Sequence, residues 1–540
     1  MAFEFLQPLI LKASAQPVGE SQKITPAPRS LEIPLSLRTK VGPELIILIG
    51  LLTLLGYCVY QRLLSPLARY PGPFWASLTD AWFAIQHTRP DVHRRVIKLH
   101  EKYGPVVRVK PNKLSIASTD GFKVIYSAGN QFIKGEAYVP FKGKRNFDLF
   151  AERNERVHGQ QRRLVGSAYT METMKSLEPY VDATINMFLE KLEAAGSKAV
   201  ELSYLVHLFA FDVIGEVSFA KRFGYVDAGS DFGLFTKIAN TVKSGVWVGE
   251  IPWIYYLHQR LVPLIGNWLA INARNGSLHE FTLKQISARK DRMGTEDDHA
   301  GDILSKLLAA TREKPQLSES DIGFTLTSNI IAGSDTTSVS LSATIYFLLK
   351  NPPALERLLR ELREKVVSGE IDANGIVTQA QAEKWAYLQA VLHEGMRLHP
   401  ALGGILARVV PKSGLRFGDH YVPEGVEVGT SPWVIHRDKS IFGDDVETFR
   451  PERWLDEKRK HELHRFFFGF GGGSRTCVGK NISMLEMNKV LPTLFLRFDL
   501  RLADIEQRPQ EVFHSNVVAL KPIHVVARKR SILEWSPSLL

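Results

Sequence analysis

Residues 468–480 read Phe-Gly-Phe-Gly-Gly-Gly-Ser-Arg-Thr-Cys-Val-Gly-Lys, with five glycines around Cys477, one of only two cysteines in a chain of 540 residues. Glycine lets a backbone turn sharply and approach a neighbour that a side chain would hold away, so this stretch reads as a loop built for close contact. Two phosphate-binding patterns come near it and fail. A dinucleotide fingerprint counted from Gly469 needs glycine or alanine at its sixth position, where Ser474 stands. A P-loop ending at Gly479-Lys480 needs glycine at Ser474 and serine or threonine at Asn481.

The second cysteine, Cys58, lies in an apolar run, so a disulfide framework is excluded by arithmetic. Two cysteines cannot build a four-cysteine zinc or iron–sulfur site either. No Cys-x-x-Cys-His unit is present, which excludes covalently attached haem of the cytochrome c kind. Among the histidines, His461-Glu462-Leu463-His464 lacks zinc-protease spacing and reads as a solvated loop, while His393, His399 and His436 show no partner cluster.

Hydrophobic residues at 44% and charged residues at 23% describe a globular chain, neither disordered nor polytopic. A net charge of +11 suits an anionic membrane surface or an acidic protein partner. The basic residues are scattered, with Arg528-Lys529-Arg530 the tightest run, so nucleic acid is not an expected partner.

Along the chain, residues 1–40 mix polar residues with Pro8, Pro17, Pro26, Pro28 and Pro34 and read as a disordered leader. Ala13-Ser14-Ala15 resembles a signal-peptidase site, but Glu4 and the lack of a basic start argue against cleavage. Residues 45–60 are uncharged and mostly apolar, about 24 Å as a helix, and predict a single transmembrane helix within an anchor over 41–62. Arg62 could snorkel at the boundary, and the thin endoplasmic reticulum bilayer accommodates the length. Basic residues on both flanks leave the orientation open. Pro66 and Tyr70-Pro71-Gly72-Pro73 predict a stiff hinge over 63–73. Residues 74–540 then read as one mainly α domain with a few short strands, among them 106–109, 114–116 and 517–520.

The longest predicted helix opens at Ser318 as N-cap, with Asp321 three residues on, and ends at Asn351-Pro352-Pro353. Its middle is polar and weak, running through Ser328, Asn329, Gly333, Ser334, Asp335, Thr336 and Thr337. A glycine there costs about 1 kcal/mol relative to alanine, so something other than helix stability should explain the pattern. A further helix is predicted over 481–491, ahead of Pro492.

The cysteine loop resembles the haem-binding signature of the cytochrome P-450 superfamily, Phe-x-x-Gly-x-Arg-x-Cys-x-Gly, filled here by Phe470, Gly473, Arg475, Cys477 and Gly479. Ala332-Gly333-Ser334-Asp335-Thr336-Thr337 resembles the oxygen-activation motif of that family. Glu394-Gly395-Met396-Arg397 is similar to its Glu-x-x-Arg pair, with Arg453 in Phe449-Arg450-Pro451-Glu452-Arg453-Trp454 as the downstream arginine. The resemblance extends over about 66 to 530 and is greatest, at 477–489, to fungal microsomal members near the pisatin demethylase group.

It implies the cytochrome P-450 fold, a helical domain with a small β-sheet region, holding haem b with the Cys477 thiolate on the iron. It implies Asp335 and Thr336 as the catalytic pair for proton delivery, with Gly333 leaving room over the iron. Glu394, Arg397 and Arg453 become a structural triad. Arg408, Arg475, His158 and Arg162 become partners of the haem propionates, His158 standing where the family often has tryptophan. The implied reaction inserts one atom of O2 into a hydrophobic organic substrate, in secondary-metabolite biosynthesis. Ala401, Leu402, Ile405 and Asn329 are expected near the substrate. Electrons come from NADPH through a separate NADPH–cytochrome P-450 reductase, received on a basic face containing Arg163, Arg465, Lys480 and Lys489. The implied location is the endoplasmic reticulum membrane, single-pass, with the catalytic domain in the cytosol, where the acceptors at Asn275 and Asn481 stay unmodified. A haem-thiolate isomerase or dehydratase, and a non-catalytic membrane haem carrier or sensor, are the alternatives; dependence of turnover on NADPH and O2 separates them.

Overall fold

The computed structural model describes residues 43–143, 145–267, 269, 276–295 and 301–535. The leader over 1–40, with Ala13-Ser14-Ala15, and the Asn275 acceptor lie outside the described residues. The chain divides into two units, Met1–Tyr57 and Cys58–Leu540.

Helix α1 (Pro43–Val59) exposes its leucines and isoleucines, among them Leu45, Ile46, Leu52 and Leu55. It passes into a π-helical turn, Tyr60–Leu64, so the helical segment long and apolar enough to cross a membrane is Pro43–Leu64, 22 residues. That is about 33 Å, longer than the apolar run alone suggests. Arg62 does not extend freely; it lies over the Phe74 ring at 5.2 Å and reaches Ser77 Oγ. The proline-rich segment belongs to the larger unit and packs within it. Leu67 and Tyr70 are buried, and the carbonyl of Pro71 accepts the Arg108 N–H at 2.8 Å. Gly72 lies too close to the Arg108 carbonyl for any side chain.

The larger unit is mostly helical, and the helices that position the site are α2 (Glu155–Val165), α3 (Leu202–Phe219), α4 (Leu234–Gly249), α5 (Glu319–Lys350), α6 (Ala386–Leu398) and α7 (Lys480–Arg497). Asn154 caps α2 through the N–H groups of Arg156 and Val157. Helix α3 is apolar enough for a membrane span, yet nearly all its residues are buried, so it is a core helix. Helix α5 begins at the predicted residue because Ser318 and Asp321 bond each other's backbone N–H reciprocally. Its 32 residues extend about 48 Å. The hydroxyls of its polar middle bond back one turn, Thr327 to Gly323, Ser334 to Ile330, Ser340 to Thr336 and Thr344 to Ser340. These buried hydroxyls therefore carry no desolvation penalty of an unpaired group.

Two expectations need correction. Helix α7 does not stop before Pro492 but continues to Arg497. Val490, Leu491, Leu494 and Phe495 are all fully buried, and that packing outweighs the roughly 3 kcal/mol a proline costs inside a helix. Residues 461–464 are no solvated loop; they belong to the helix Lys460–Phe466, held down by buried Leu463 and Phe466.

The sheets are small. In the largest, β1 (Val106–Lys110), β2 (Lys113–Ile116), β3 (Ile133–Lys134), β4 (Arg408–Val409) and β5 (Glu427–Gly429) run in the order β1-β2-β5-β4-β3. Only β2 and β5 are parallel, and the antiparallel edge pair sets Lys134 opposite Arg408. A hairpin, β6 (Gln510–His514) and β7 (Val517–Lys521), turns on Ser515 and Asn516, both at positive φ, the conformation two-residue hairpins require. Strand β7 packs beside α5.

Candidate active site

The cysteine loop is held by its own backbone and by one histidine. The Cys477 N–H donates to the Phe470 carbonyl at 2.9 Å, and Gly471 N–H to Phe468 at 3.1 Å. Gly473 has a φ of 62°, and an added Cβ would stand 2.6 Å from the Tyr126 carbonyl. Glycine at this position is therefore required twice over. His436 bridges the loop to the core: its Nε2 accepts the Phe468 N–H at 2.8 Å while its Nδ1 bonds the Arg397 carbonyl at 3.1 Å. Burial, then Arg397, holds this imidazole well below its ordinary pKa, the neutral form that can accept at one nitrogen and donate at the other.

Cys477 is accessible to water yet lies deep beneath the outer surface. Burial pushes its thiol up, against the N–H groups of Gly479 and Lys480 and the Arg162 guanidinium, which favour the thiolate. Those N–H groups open α7, so the positive end of a helix meets the sulfur. A coordinated metal cation overturns the remaining balance, because a ligating thiol is deprotonated outright.

Beside the loop, five basic side chains converge. Arg162 donates to the Thr476 carbonyl at 2.6 Å, and Arg475 pairs with Glu155 at 2.7 Å and donates to the Glu152 carbonyl at 2.7 Å. Arg408 donates to the Ala407 carbonyl at 3.1 Å and lies over the Tyr126 ring. Lys134, across the strand pair from Arg408, donates to the Phe150 carbonyl and sits 4.4 Å from the Tyr138 ring centre. His158 is no surface histidine; it is buried, and burial together with Arg475, Lys134, Arg162 and Arg408 pushes its pKa down to about 3. Burial first, then Arg408 and Arg475, hold the Lys134 ammonium well below its usual range, against Asp148 and Glu155. Glu155 offsets part of this crowding of like charge, and a further anion among them would relieve more. Lys134 had no sequence signal, being one lysine in a two-residue strand; its role emerges only from strand pairing.

On α5, Ala332 is exposed halfway along the helix, and Thr336, one turn on, donates to its carbonyl at 2.8 Å. Asp335 points about 100° away around the helix. Its Oδ1 lies 2.7 Å from His207 Nε2 on α3. Gly333 does not open room beside Thr336: an added Cβ would meet Ile214 Cδ1 of α3 at 2.8 Å, so this glycine lets α3 and α5 close together.

Glu394, Arg397 and Arg453 form the expected triad, wholly buried. Arg397 grips both carboxylate oxygens at 2.8 Å, and Arg453 reaches Oε1 at 2.9 Å. The N–H groups of Arg450 and the Trp454 indole complete the carboxylate's bonds at 2.9 Å each. Leu402 and Ile405 line an apolar pocket with His87, Tyr138, Phe141 and Val246. Ala401 instead packs against Val339, Val517 and Ala519, and Asn329 accepts the Tyr169 hydroxyl at 3.0 Å.

A family model described as "Cytochrome P450" matches residues 71–526. The chain belongs to the cytochrome P450 family. It is 43% identical over 466 residues to the cytochrome P450 monooxygenase hepC of Aspergillus oryzae, covering 83% of this chain and 90% of that relative. It is 36% identical to the cytochrome P450 monooxygenase cicH of Emericella nidulans over 83% of this chain and 91% of the other. It is 34% identical to a pisatin demethylase of Fusarium vanettenii over 86% and 92% of the two chains. As a cytochrome P450 the protein is an oxidoreductase, a monooxygenase whose cofactor is haem with a cysteine thiolate on its iron. The residues present fit that group. Cys477 offers a sulfur at a helix N-terminus, and the crowded cations beside it suit the two carboxylates of haem b.

Proposed function

We propose that this P450 inserts one oxygen atom into a lipophilic secondary metabolite, with Cys477 as the iron ligand and Asp335 and Thr336 as the proton-handling pair. The reading rests on one observation, the cysteine loop closed on the N-terminus of α7 with its sulfur accessible. Haem, when bound, supplies the redox chemistry that splits dioxygen, which the thiolate's electron donation promotes. For a substrate RH the balance is RH, O2, two electrons and two protons giving ROH and water. Both electrons come from NADPH through a separate reductase.

This chain's own residues bind, orient and move protons. Arg408, Arg162, Arg475, His158 and the unforeseen Lys134 hold the propionates, with Phe470, Gly473 and Gly479 shaping the loop. The Thr336 hydroxyl, already bonded to Ala332, stands on the open face of α5 and orients a proton donor there. Asp335 is the nearest acid, and burial is outweighed by His207, His514 and Lys521, which hold its carboxyl below the usual range. Asp335→Asn is expected to lower reductase-driven turnover about 10²-fold at unchanged haem content, as general-acid catalysis contributes. NADPH and O2 consumption of the haem-loaded enzyme measure it, and an unchanged rate removes Asp335 from the mechanism.

The aromatic, apolar pocket supports a hydrophobic substrate. The exposed, apolar Pro43–Leu64 segment supports single-pass membrane anchoring, and the family resemblance carries the reading of the endoplasmic reticulum with the domain in the cytosol. Reductase docking falls to Arg163, Arg465 and Lys480, which are exposed. Lys489 leaves that set: it is fully buried and paired with Glu178 at 2.7 Å and Asp182 at 2.9 Å. Reversing the charge of Arg163, Arg465 and Lys480 together is expected to raise the reductase concentration needed for half-maximal turnover severalfold and flatten its salt dependence. No change in either would place the docking face elsewhere.

A further inference from the structure

Asp335 does not face solvent-free core on its far side. It borders a pocket of mixed lining whose polar side chains also include Ser203 and His207 of α3, Ser338 and Ser342 of α5, His514 of β6 and Lys521 of β7. His207 and Asp335 both border this pocket, with side chains 22% and 19% exposed. The His207 ring is clamped on Phe235 of α4, centroids 3.7 Å apart and planes 17° from parallel, so its Nε2 is held towards Asp335. Two ring nitrogens here are buried without a hydrogen-bond partner of good angle, His207 Nε2 and His514 Nδ1. No group of three or more histidines, cysteines or carboxylates among the described residues could hold a metal ion, so this is no metal cage.

We propose that this pocket is the proton inlet of the enzyme, with His207 as the relay that loads Asp335. This rests on the reading of Asp335 as the proton-handling acid. Imidazole is a side chain suited to shuttling protons, and here it borders both the pocket and the carboxylate. In one transfer the His207 Nε2–H bond breaks as an Asp335 Oδ1–H bond forms, leaving neutral imidazole and a neutral carboxylic acid. Pocket water then returns a proton to His207. No oxidant or reductant is involved, and the proton derives from bulk water. Helix α5 is the wall between inlet and active face: Asp335 lies on the pocket side, and its neighbour Thr336 on the open side. His514 and Lys521, the other basic groups facing Asp335, keep the carboxylate ionised between transfers.

The test uses the full-length haem-loaded enzyme with its reductase, NADPH and O2. It compares wild type, His207→Phe, His207→Gln and Asp335→Asn, with haem content and the carbon-monoxide spectrum as folding controls. Phenylalanine keeps the stack on Phe235, and glutamine keeps a polar contact with Asp335; neither relays a proton. Both His207 variants are expected to lose roughly tenfold in NADPH-driven O2 uptake, less than a full general-acid loss because pocket water substitutes in part. Both should also show a larger solvent deuterium isotope effect. A wild-type rate and solvent isotope effect in His207→Gln would reduce His207 to a positioning contact and overturn the inlet. If Asp335→Asn slows the enzyme and the His207 variants do not, the inlet alone is wrong. If Asp335→Asn has no effect, the reading of Asp335 falls and the inlet with it.

Discussion

Glu394→Ala is expected to yield almost no folded, haem-binding protein. The substitution leaves Arg397 and Arg453 buried, at 0% and 2% side-chain exposure, with their shared counter-charge gone. Removing one partner of a buried ion pair costs about 3–5 kcal/mol, against a total stability of about 5–15 kcal/mol. The damage spreads, because Arg397 also donates to the carbonyls of His436 and Val446, and His436 holds the first residue of the cysteine loop. Acid should act in the same direction. Burial raises the Glu394 pKa, but Arg397 and Arg453 outweigh it and hold the group below its ordinary value. A depressed folded pKa means the triad's stabilisation is full above the unfolded carboxyl's value and is lost as pH falls through the folded one. Thermal unfolding and haem-to-protein ratio measure both effects; a Glu394→Ala protein with wild-type melting and haem content would refute the structural role. Arg453→Lys keeps the charge but not the forked geometry, and should fall between the two.

Cys477→Ala is expected to abolish reductase-driven oxygenation altogether. The chain's other cysteine, Cys58, belongs to α1, so no second thiol stands ready to replace it. Haem need not be lost in parallel, since Lys134, Arg408, Arg162 and Arg475 would still bind its carboxylates. The expected product is therefore a haem protein without thiolate character and without turnover, measured as NADPH-dependent O2 consumption. Residual turnover within tenfold of wild type would mean the sulfur is not the ligand.

Much of this was legible in the sequence because the chemistry sits in short local patterns. The cysteine loop, the cap of α5 and the Glu-x-x-Arg pair each lie within a few residues, and one helical turn or one loop suffices to read them. What escaped depends on pairing between distant segments. Lys134 joins the cation cluster only because β3 pairs with β4, and His436 finds its partner 32 residues downstream at Phe468. Lys489 looked like surface because lysine usually is, and Glu178 and Asp182, some 300 positions earlier, bury it instead. Gly333 was read against the iron when its missing side chain faces α3; sequence shows a helix's weak point but not which way it points. His207 carried no motif at all, standing 128 positions from Asp335 in an apolar helix.

The most direct measurement of the central claim is the carbon-monoxide difference spectrum of the reduced protein, wild type beside Cys477→Ala. The account predicts the red-shifted Soret band of a thiolate-ligated iron in the wild type and its complete absence in the variant. A wild-type protein that binds no haem, or a variant with the same band, would contradict it.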